Sequence, residues 1–70
     1  MIKQELKSVM VKYGDRQEDL AAYLGISERG LSDKINGKAD FWRAEIEAIA
    51  LRYKLSAEDV QRIFFAKTVA

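Results

Sequence analysis

Short apolar stripes with helical spacing, separated by single glycines, run through this 70-residue chain. The first stripe has apolar residues at offsets of 0, 4, 7, 8 and 11 from Ile2, and Gly14 follows it. Offsets of three and four place side chains on one face of a helix, and a glycine just after such a stripe is typical of a helix end. The sequence has no proline and no run of strand-like alternation. The pattern predicts an all-α fold.

The same signals divide the chain into five short helices around one core. Gly25 and Gly37 end the second and third helices, and the later apolar residues recur with the same helical period. A chain of 8.0 kDa has room for one domain, so we expect a single unit over residues 1–70 with a short tail at 66–70. The predicted helices run roughly from Ile2 to Tyr13, over about two turns before Gly25, from Glu28 to Asn36, from Arg43 to Tyr53 and from Ala57 to Phe64.

Capping residues mark most of the helix starts. Ser27 and Ser56 are good N-cap types for the third and fifth helices. We expect Asp15 to cap the second helix, with Glu18 three residues later completing a capping box. The fourth start stays open, because Asp40 is a capping type but two aromatic residues follow it.

Composition excludes several chemistries. The chain has no cysteine and no histidine, which removes disulfides, zinc sites built on those residues and imidazole acid–base catalysis. No phosphate-binding glycine loop, metal-ligand spacing or nucleophile–base pair is present, and Glu45 and Glu47 are expected on a solvated helix face. We therefore expect neither an enzyme nor a protein with a cofactor or small-molecule ligand. Since no apolar run approaches the roughly 18 residues that cross a bilayer, we expect a soluble, cytoplasmic protein.

Residues 16–37 carry the strongest functional signal. Two short helices joined by Gly25-Ile26-Ser27 are typical of a helix-turn-helix, in which the glycine permits a left-handed turn. The apolar residues expected to hold the two helices together are Leu20, Ala21, Leu24, Leu31 and Ile35.

In this segment the chain resembles the lambda repressor-like helix-turn-helix superfamily, in particular the short Cro-like regulators of phages and prophages. The resemblance extends over residues 1–65 and implies a five-helix all-α DNA-binding domain whose third helix lies in the major groove of operator DNA. It further implies a repressor that acts by occupying its operator. The residues that carry it are Gln17-Glu18-Asp19-Leu20-Ala21-Ala22-Tyr23-Leu24-Gly25-Ile26-Ser27 and Leu31-Ser32-Asp33-Lys34-Ile35-Asn36-Gly37-Lys38, followed by Phe41, Glu45-Ile46, Leu55-Ser56 and Ile63-Phe64-Phe65.

The third helix has a short polar face opposite its apolar one. Steps of 100° per residue turn this face away from the core, and Glu28 is free at the helix start. Arginine forks onto guanine and a carboxylate accepts from cytosine in the major groove. We therefore expect Arg29 and Asp33 to read bases, with Glu28 and Ser32 beside them. The residues turned outward are Arg29, Ser32, Asp33 and Asn36.

Basic residues beside this face are candidate phosphate contacts, which fix the register of a protein on DNA without reading sequence. Lys38 and Arg43 flank the loop after the third helix, and Arg16 and Lys34 are further candidates. The family resemblance places Gln17, at the start of the second helix, on a phosphate. Its alternative is a solvated helix start.

Two charge patterns leave an alternative open. Arg29 and Asp33 are spaced i, i+4 and would also suit a simple surface ion pair. The net charge is only +1, and Glu28 and Asp33 both repel phosphate unless they find a cytosine amine or a basic neighbour. A protein-interaction module on the same fold, antitoxin-like or antirepressor-like and without DNA binding, is therefore the competing function.

Large apolar residues in the second half of the chain suggest self-association. Trp42 is either a core aromatic or, together with Phe65 and Val69, part of a two-fold dimer contact. A homodimer would place two recognition helices about 34 Å apart on double-stranded DNA. The expected partners are thus a partly palindromic operator and a second copy of the chain.

Overall fold

The computed structural model describes the backbone of residues 2–65 and the side chains of residues 4–65. All regular structure in this part of the chain is helical, which confirms the predicted all-α class. The helices are α1 (Ile2–Lys12), α2 (Gln17–Leu24), α3 (Glu28–Ile35), α4 (Arg43–Arg52) and α5 (Ala57–Val60), and a π-helical segment, Gln61–Phe65, continues α5. The tail at 66–70, including Val69, lies outside the described residues.

The helix boundaries differ from the prediction mainly at the C-terminal ends. Tyr13, Asn36 and Tyr53, each predicted as a last helical residue, lie in the turns that follow α1, α3 and α4. The largest difference concerns the last helix, predicted over Ala57 to Phe64. It is α-helical for only four residues and then continues as a wider π-helix. In the wider segment two consecutive residues, Ile63 and Phe64, are both buried.

Left-handed residues close the helix ends. At the end of α2, Gly25 has φ 73°, and the N–H of Ile26 donates to the carbonyl of Ala21 at 3.0 Å. This bond from the second residue after the helix satisfies a carbonyl that the helix end would leave free. Lys54 performs the same role after α4 with φ 53°, and the N–H of Leu55 donates to a carbonyl of α4 at 2.8 Å. Lysine lacks the conformational freedom of glycine, so this turn is strained.

Two of the three predicted N-caps are confirmed. The hydroxyl of Ser27 accepts from the N–H of Gly30 at 2.9 Å, and Ser56 exchanges two 3.1 Å hydrogen bonds with Asp59. The prediction for α2 is wrong, because Arg16 rather than Asp15 is the N-cap residue. There the carboxylate of Asp19, not that of Glu18, accepts the backbone N–H of the N-cap at 3.0 Å.

Asp15 is drawn away from the helix start by a cluster of side chains. Arg52 donates to both of its carboxylate oxygens, at 2.6 and 2.8 Å, and the Tyr53 hydroxyl donates to one of them at 2.6 Å. The Tyr13 hydroxyl donates to the Tyr53 carbonyl at 2.7 Å, and the Arg52 guanidinium lies 4.7 Å from the ring centre of Tyr23. A bidentate charged pair outweighs a single capping bond, which explains the different cap. The cluster fastens the turn between α1 and α2 to the end of α4.

The protonation of the cluster follows from these bonds. The hydrogen bonds from Arg52 lower the pKa of Asp15, partial burial opposes them, and the bond from Tyr53 adds to the lowering. Burial and the nearby carboxylate raise the pKa of Tyr53 above its ordinary value. Asp15 is therefore held as an anion and Tyr53 as a neutral donor.

Every helix within the described residues contributes buried side chains to the core except the short α5. The partly buried Val60 of α5 packs against the core from outside. All the residues expected to join α2 and α3 belong to it: Leu20, Ala21, Leu31 and Ile35 are buried, and Leu24 packs against them. None of the helices within residues 2–65 is long and apolar enough to span a membrane. The other buried residues are Leu6, Met10, Ile49, Tyr53, Ile63 and Phe64.

Candidate nucleic-acid interface

α2 and α3 form a compact pair of short helices. Each has eight residues, and the turn between them is Gly25-Ile26-Ser27. Leu20 and Leu31 are completely buried between this pair and the rest of the core. The Ser27 cap fixes the first residue of α3, and the buried Ile35 fixes the rotation of its last turn. The outward face of α3 is therefore set by the core on its opposite side.

The outward face of α3 is polar, as the sequence predicts. Glu28 and Arg29 are exposed, Ser32 and Asp33 are half-buried, and Asn36 is exposed just after the helix. The Asn36 amide donates to the Ser32 hydroxyl at 3.2 Å. The i, i+4 ion pair that was the alternative for Arg29 and Asp33 is not formed, and neither residue pairs with another described charge.

On this face the side chains of Arg29 and Asp33 make no ion pair with any described residue. The Arg29 guanidinium has five donors in a planar fork, and the Asp33 carboxylate only accepts. Asn36 adds an amide, the side-chain type that pairs with adenine in two bonds. The helical spacing predicts that Asn36 lies on this face but assigns it no role. Its position four residues after Ser32 is the spacing that allows the hydrogen bond between these two side chains.

The structure corrects the expectation that Lys34 contacts phosphate. Its Nζ lies 2.6 Å from both carboxylate oxygens of Glu45, and the two side chains are only 13% and 11% exposed. Glu45 is correspondingly not on a solvated helix face, and it also accepts the backbone N–H of Trp42 at 2.8 Å. Lys34 is thus neutralised by the protein itself and fastens α3 to the start of α4. The two charges are eleven residues apart across a loop, a separation that no helical or turn pattern signals.

The remaining basic candidates are exposed. Arg16 lies 3.5 and 3.8 Å from carboxylates of α2, and Arg43, 92% exposed, lies 3.4 Å from Glu47. Lys38 is exposed and pairs with no described carboxylate. Gln17 is the half-buried first residue of α2. Exposed pairs of this kind contribute between about 0 and 1 kcal/mol, so these cations exchange partners readily.

The two aromatic residues before α4 point to different parts of the molecule. Trp42 is 71% exposed, which excludes a core position, and its ring centre lies 5.3 Å from Lys34 Nζ. Its neighbour Phe41 makes an edge contact with the buried Phe64 instead. The helix begins at Arg43, after both aromatics, which settles the start that the sequence left open.

Phe65, the second residue of the expected dimer contact, is half-exposed at a groove between α4 and the C-terminal helical segment. The groove has a volume of about 530 Å³ and an apolar floor. Trp42, the first residue of the expected dimer contact, does not line this groove. The lining residues are Phe41, Arg43, Ile46, Glu47, Val60 and Phe65.

Neither a metal site nor a related protein identifies a function for the described residues. Within residues 2–65, no three carboxylates lie close enough together to hold a metal ion. The chain matches no protein-family model, no curated protein and no solved structure.

Proposed function

We propose that this protein is a sequence-specific regulator that binds double-stranded DNA through a helix-turn-helix formed by α2 and α3. The outward face of α3 carries the proposal, because it holds an arginine and two acids that pair with no described charge, on a helix whose rotation the core fixes. An α-helix of this kind fits the major groove, where each base pair presents a distinct set of donors and acceptors. The Cro-like resemblance adds the expectation of a repressor that acts by occupying its operator.

The base-reading roles follow from side-chain chemistry. Arg29 supplies the fork that suits the O6 and N7 atoms of guanine, and Asp33 accepts from the amine of cytosine. Glu28, at the first turn of α3, has the same acceptor chemistry, and the Ser32 hydroxyl serves as donor or acceptor. Each acid repels phosphate unless its base supplies a donor, so the acids also disfavour wrong sequences.

Positioning on the duplex falls to the cations around α3. Lys38 lies in the loop after α3, and Arg43 opens α4 on the other side of that loop. Arg16 and Gln17 stand at the start of α2, where backbone N–H groups also favour an anion. Lys34 has no part in this set, because Glu45 neutralises it.

A second copy of the chain is the proposed occupant of the groove at Phe65. The lining of the groove is mostly apolar, and a two-fold axis would bury this surface of one copy against the same surface of the other. Closure would also cover the half-exposed ring of Phe65. Two copies would present their α3 helices to successive major grooves about 34 Å apart. A sedimentation experiment at high protein concentration, with and without DNA, tests this: a monomer under both conditions contradicts it.

The DNA-binding proposal is tested by selecting bound sequences from a random duplex pool and titrating the winner against salt. The expected result is a partly palindromic site whose logarithmic affinity falls linearly with the logarithm of salt concentration, with a slope of about −0.9 for each phosphate contact. Lys12→Ala is the matched control, because Lys12 is an exposed cation on α1 and its loss leaves α3 intact. The absence of any enriched sequence at moderate salt would contradict the proposal.

The apolar groove and the two acids on α3 also favour a second candidate, a protein-interaction module without DNA binding. Apolar burial in the groove would then hold a protein partner, and its affinity would be nearly independent of salt. Salt dependence separates the two functions, because only the DNA complex releases condensed counterions.

A further inference from the structure

Trp42 is the largest exposed apolar side chain that the proposed roles above do not use. Its backbone N–H is held by Glu45, so the residue is fixed at the start of α4. Its ring lies over the side chain of Lys34, which is a residue of α3. The indole N–H donates to no described residue. A fixed ring with a free donor therefore stands beside the recognition helix.

The position beside α3 determines what this ring meets on DNA. An α-helix with its side chains is about 10–12 Å wide, and the major groove is about 12 Å wide. When a helix fills the groove, groups standing at its side face the sugar–phosphate wall and not the bases. Lys34 follows the base-reading Asp33 by one residue and is turned toward α4, so the ring over it lies on the side of α3 that faces the start of α4.

The charges around the ring favour the same partner. Lys38 and Arg43, the exposed cations proposed to contact phosphates, belong to the loop before Trp42 and the residue after it. Lys34 is already neutralised by Glu45, so it holds the ring in place without offering its own charge to DNA. Along the chain, a neutral N–H donor and an apolar ring thus lie between two cations that are proposed to contact phosphates.

We propose that Trp42 contacts the DNA backbone, with its indole N–H donating to a phosphate oxygen and its ring packing on a deoxyribose. The proposal rests on the proposed DNA-binding function and reassigns Trp42 from the dimer contact to the DNA interface. The groove at Phe65 is left to the dimer. The different contacts of the two neighbouring rings, Phe41 with Phe64 and Trp42 with Lys34, support this division.

A substitution and a spectroscopic measurement test the proposal. Trp42→Phe keeps a ring but removes the donor, and we expect affinity for the selected site to fall about tenfold, as for a hydrogen bond to a charged group. Because a neutral donor releases no counterion, the salt slope should stay unchanged. Lys38→Ala is the matched control, and it should lower the magnitude of the slope by about 0.9.

Trp42 is the only tryptophan, so the fluorescence of the wild-type chain reports on this residue alone. Addition of the selected DNA at low protein concentration should shield the indole from acrylamide quenching. Equal affinity of Trp42→Phe and wild type, or shielding that depends on protein concentration without DNA, would overturn the proposal. If the wild-type chain selects no DNA at all, the proposed function itself fails, and that result is distinct from a bound complex with an exposed indole.

Discussion

Two groups of charged residues in this small domain are built differently. Around Asp15, the side chains of Arg52 and Tyr53 converge from the far end of α4, so the carboxylate has three hydrogen bonds and is 12% exposed. On the outward face of α3, Arg29 and Asp33 lie four residues apart and form no ion pair. The first group satisfies its charges within the protein, whereas the second leaves them to solvent.

This difference separates stability from recognition. A charge that is paired and partly buried contributes to folding, and its loss leaves the partner unsatisfied. An exposed charge without a partner contributes little to folding, but it is free to bond another molecule. Mutations around Asp15 should therefore lower the free energy of unfolding, whereas mutations on the outward face of α3 should change DNA binding.

The largest effect is expected from Asp15→Asn. The substitution removes the negative charge that Arg52 and Tyr53 share, and it leaves a partly buried guanidinium without its counter-ion. We expect the free energy of unfolding to fall by about 2–3 kcal/mol, somewhat less than for a fully buried pair. Urea denaturation followed by circular dichroism measures it. Glu58→Gln, an exposed acid on α5, is the control and should change stability by less than about 0.5 kcal/mol. Equal effects of the two substitutions would erase the contrast between buried and exposed charges.

The pH dependence of stability tests the same cluster without a substitution. The hydrogen bonds from Arg52 hold the pKa of Asp15 below its ordinary value of 3.8, so the native state binds this proton less readily than the unfolded chain does. The stabilisation is complete above that ordinary value and is lost as the pH falls through the lowered pKa. At the alkaline end, the raised pKa of Tyr53 makes its contribution complete below pH 10.0, and it is lost at higher pH. Urea titrations from neutral pH to about pH 3 should show a steeper loss for wild type than for Asp15→Asn. Parallel curves would contradict the assignment.

Lys54→Gly is expected to stabilise the protein, by about 1 kcal/mol. Lys54 adopts φ 53°, a backbone conformation that costs a non-glycine residue of order 1 kcal/mol. Lys54 follows Tyr53 in the chain and has no role in the proposed DNA interface, so DNA affinity should stay the same. Thermal unfolding measures the gain. A loss of stability would show that the lysine side chain contributes more than its backbone strain costs.

Lys38→Ala should have the smallest effect on the fold and a uniform effect on DNA. The side chain is exposed and pairs with no described acid, so stability should change by less than about 0.5 kcal/mol. Affinity should weaken by a similar factor for specific and non-specific duplexes, because a phosphate contact reads no base. Binding isotherms on both duplexes measure this. A selective loss on the specific site would assign Lys38 to base reading instead.

Local signals predicted most of the fold. The glycines and the serine caps mark chain positions where one or two residues decide the backbone, so Gly25, Ser27 and Ser56 were correctly assigned. The apolar stripes likewise identified the residues that bury α2 against α3. These features depend on neighbours within about five residues.

Tertiary pairings were not predictable in this way. Asp15 has the residue type and position of an N-cap, but it bonds Arg52, 37 residues later. Lys34 resembles an ordinary cation beside a recognition helix, yet Glu45 buries it. Which face of α3 points outward could be predicted from its spacing, whereas which flanking cations remain free depends on contacts across the fold.

The central claim is that the outward face of α3 reads bases, and Arg29→Ala on the selected duplex tests it most directly. Because Arg29 is exposed and pairs with no described acid, the variant should unfold like wild type. Loss of a two-bond contact to a base should weaken specific binding by about tenfold to a hundredfold and relax selectivity at one base pair of each half-site. Non-specific affinity should change far less. A variant that binds the selected site with wild-type affinity and selectivity would contradict the account.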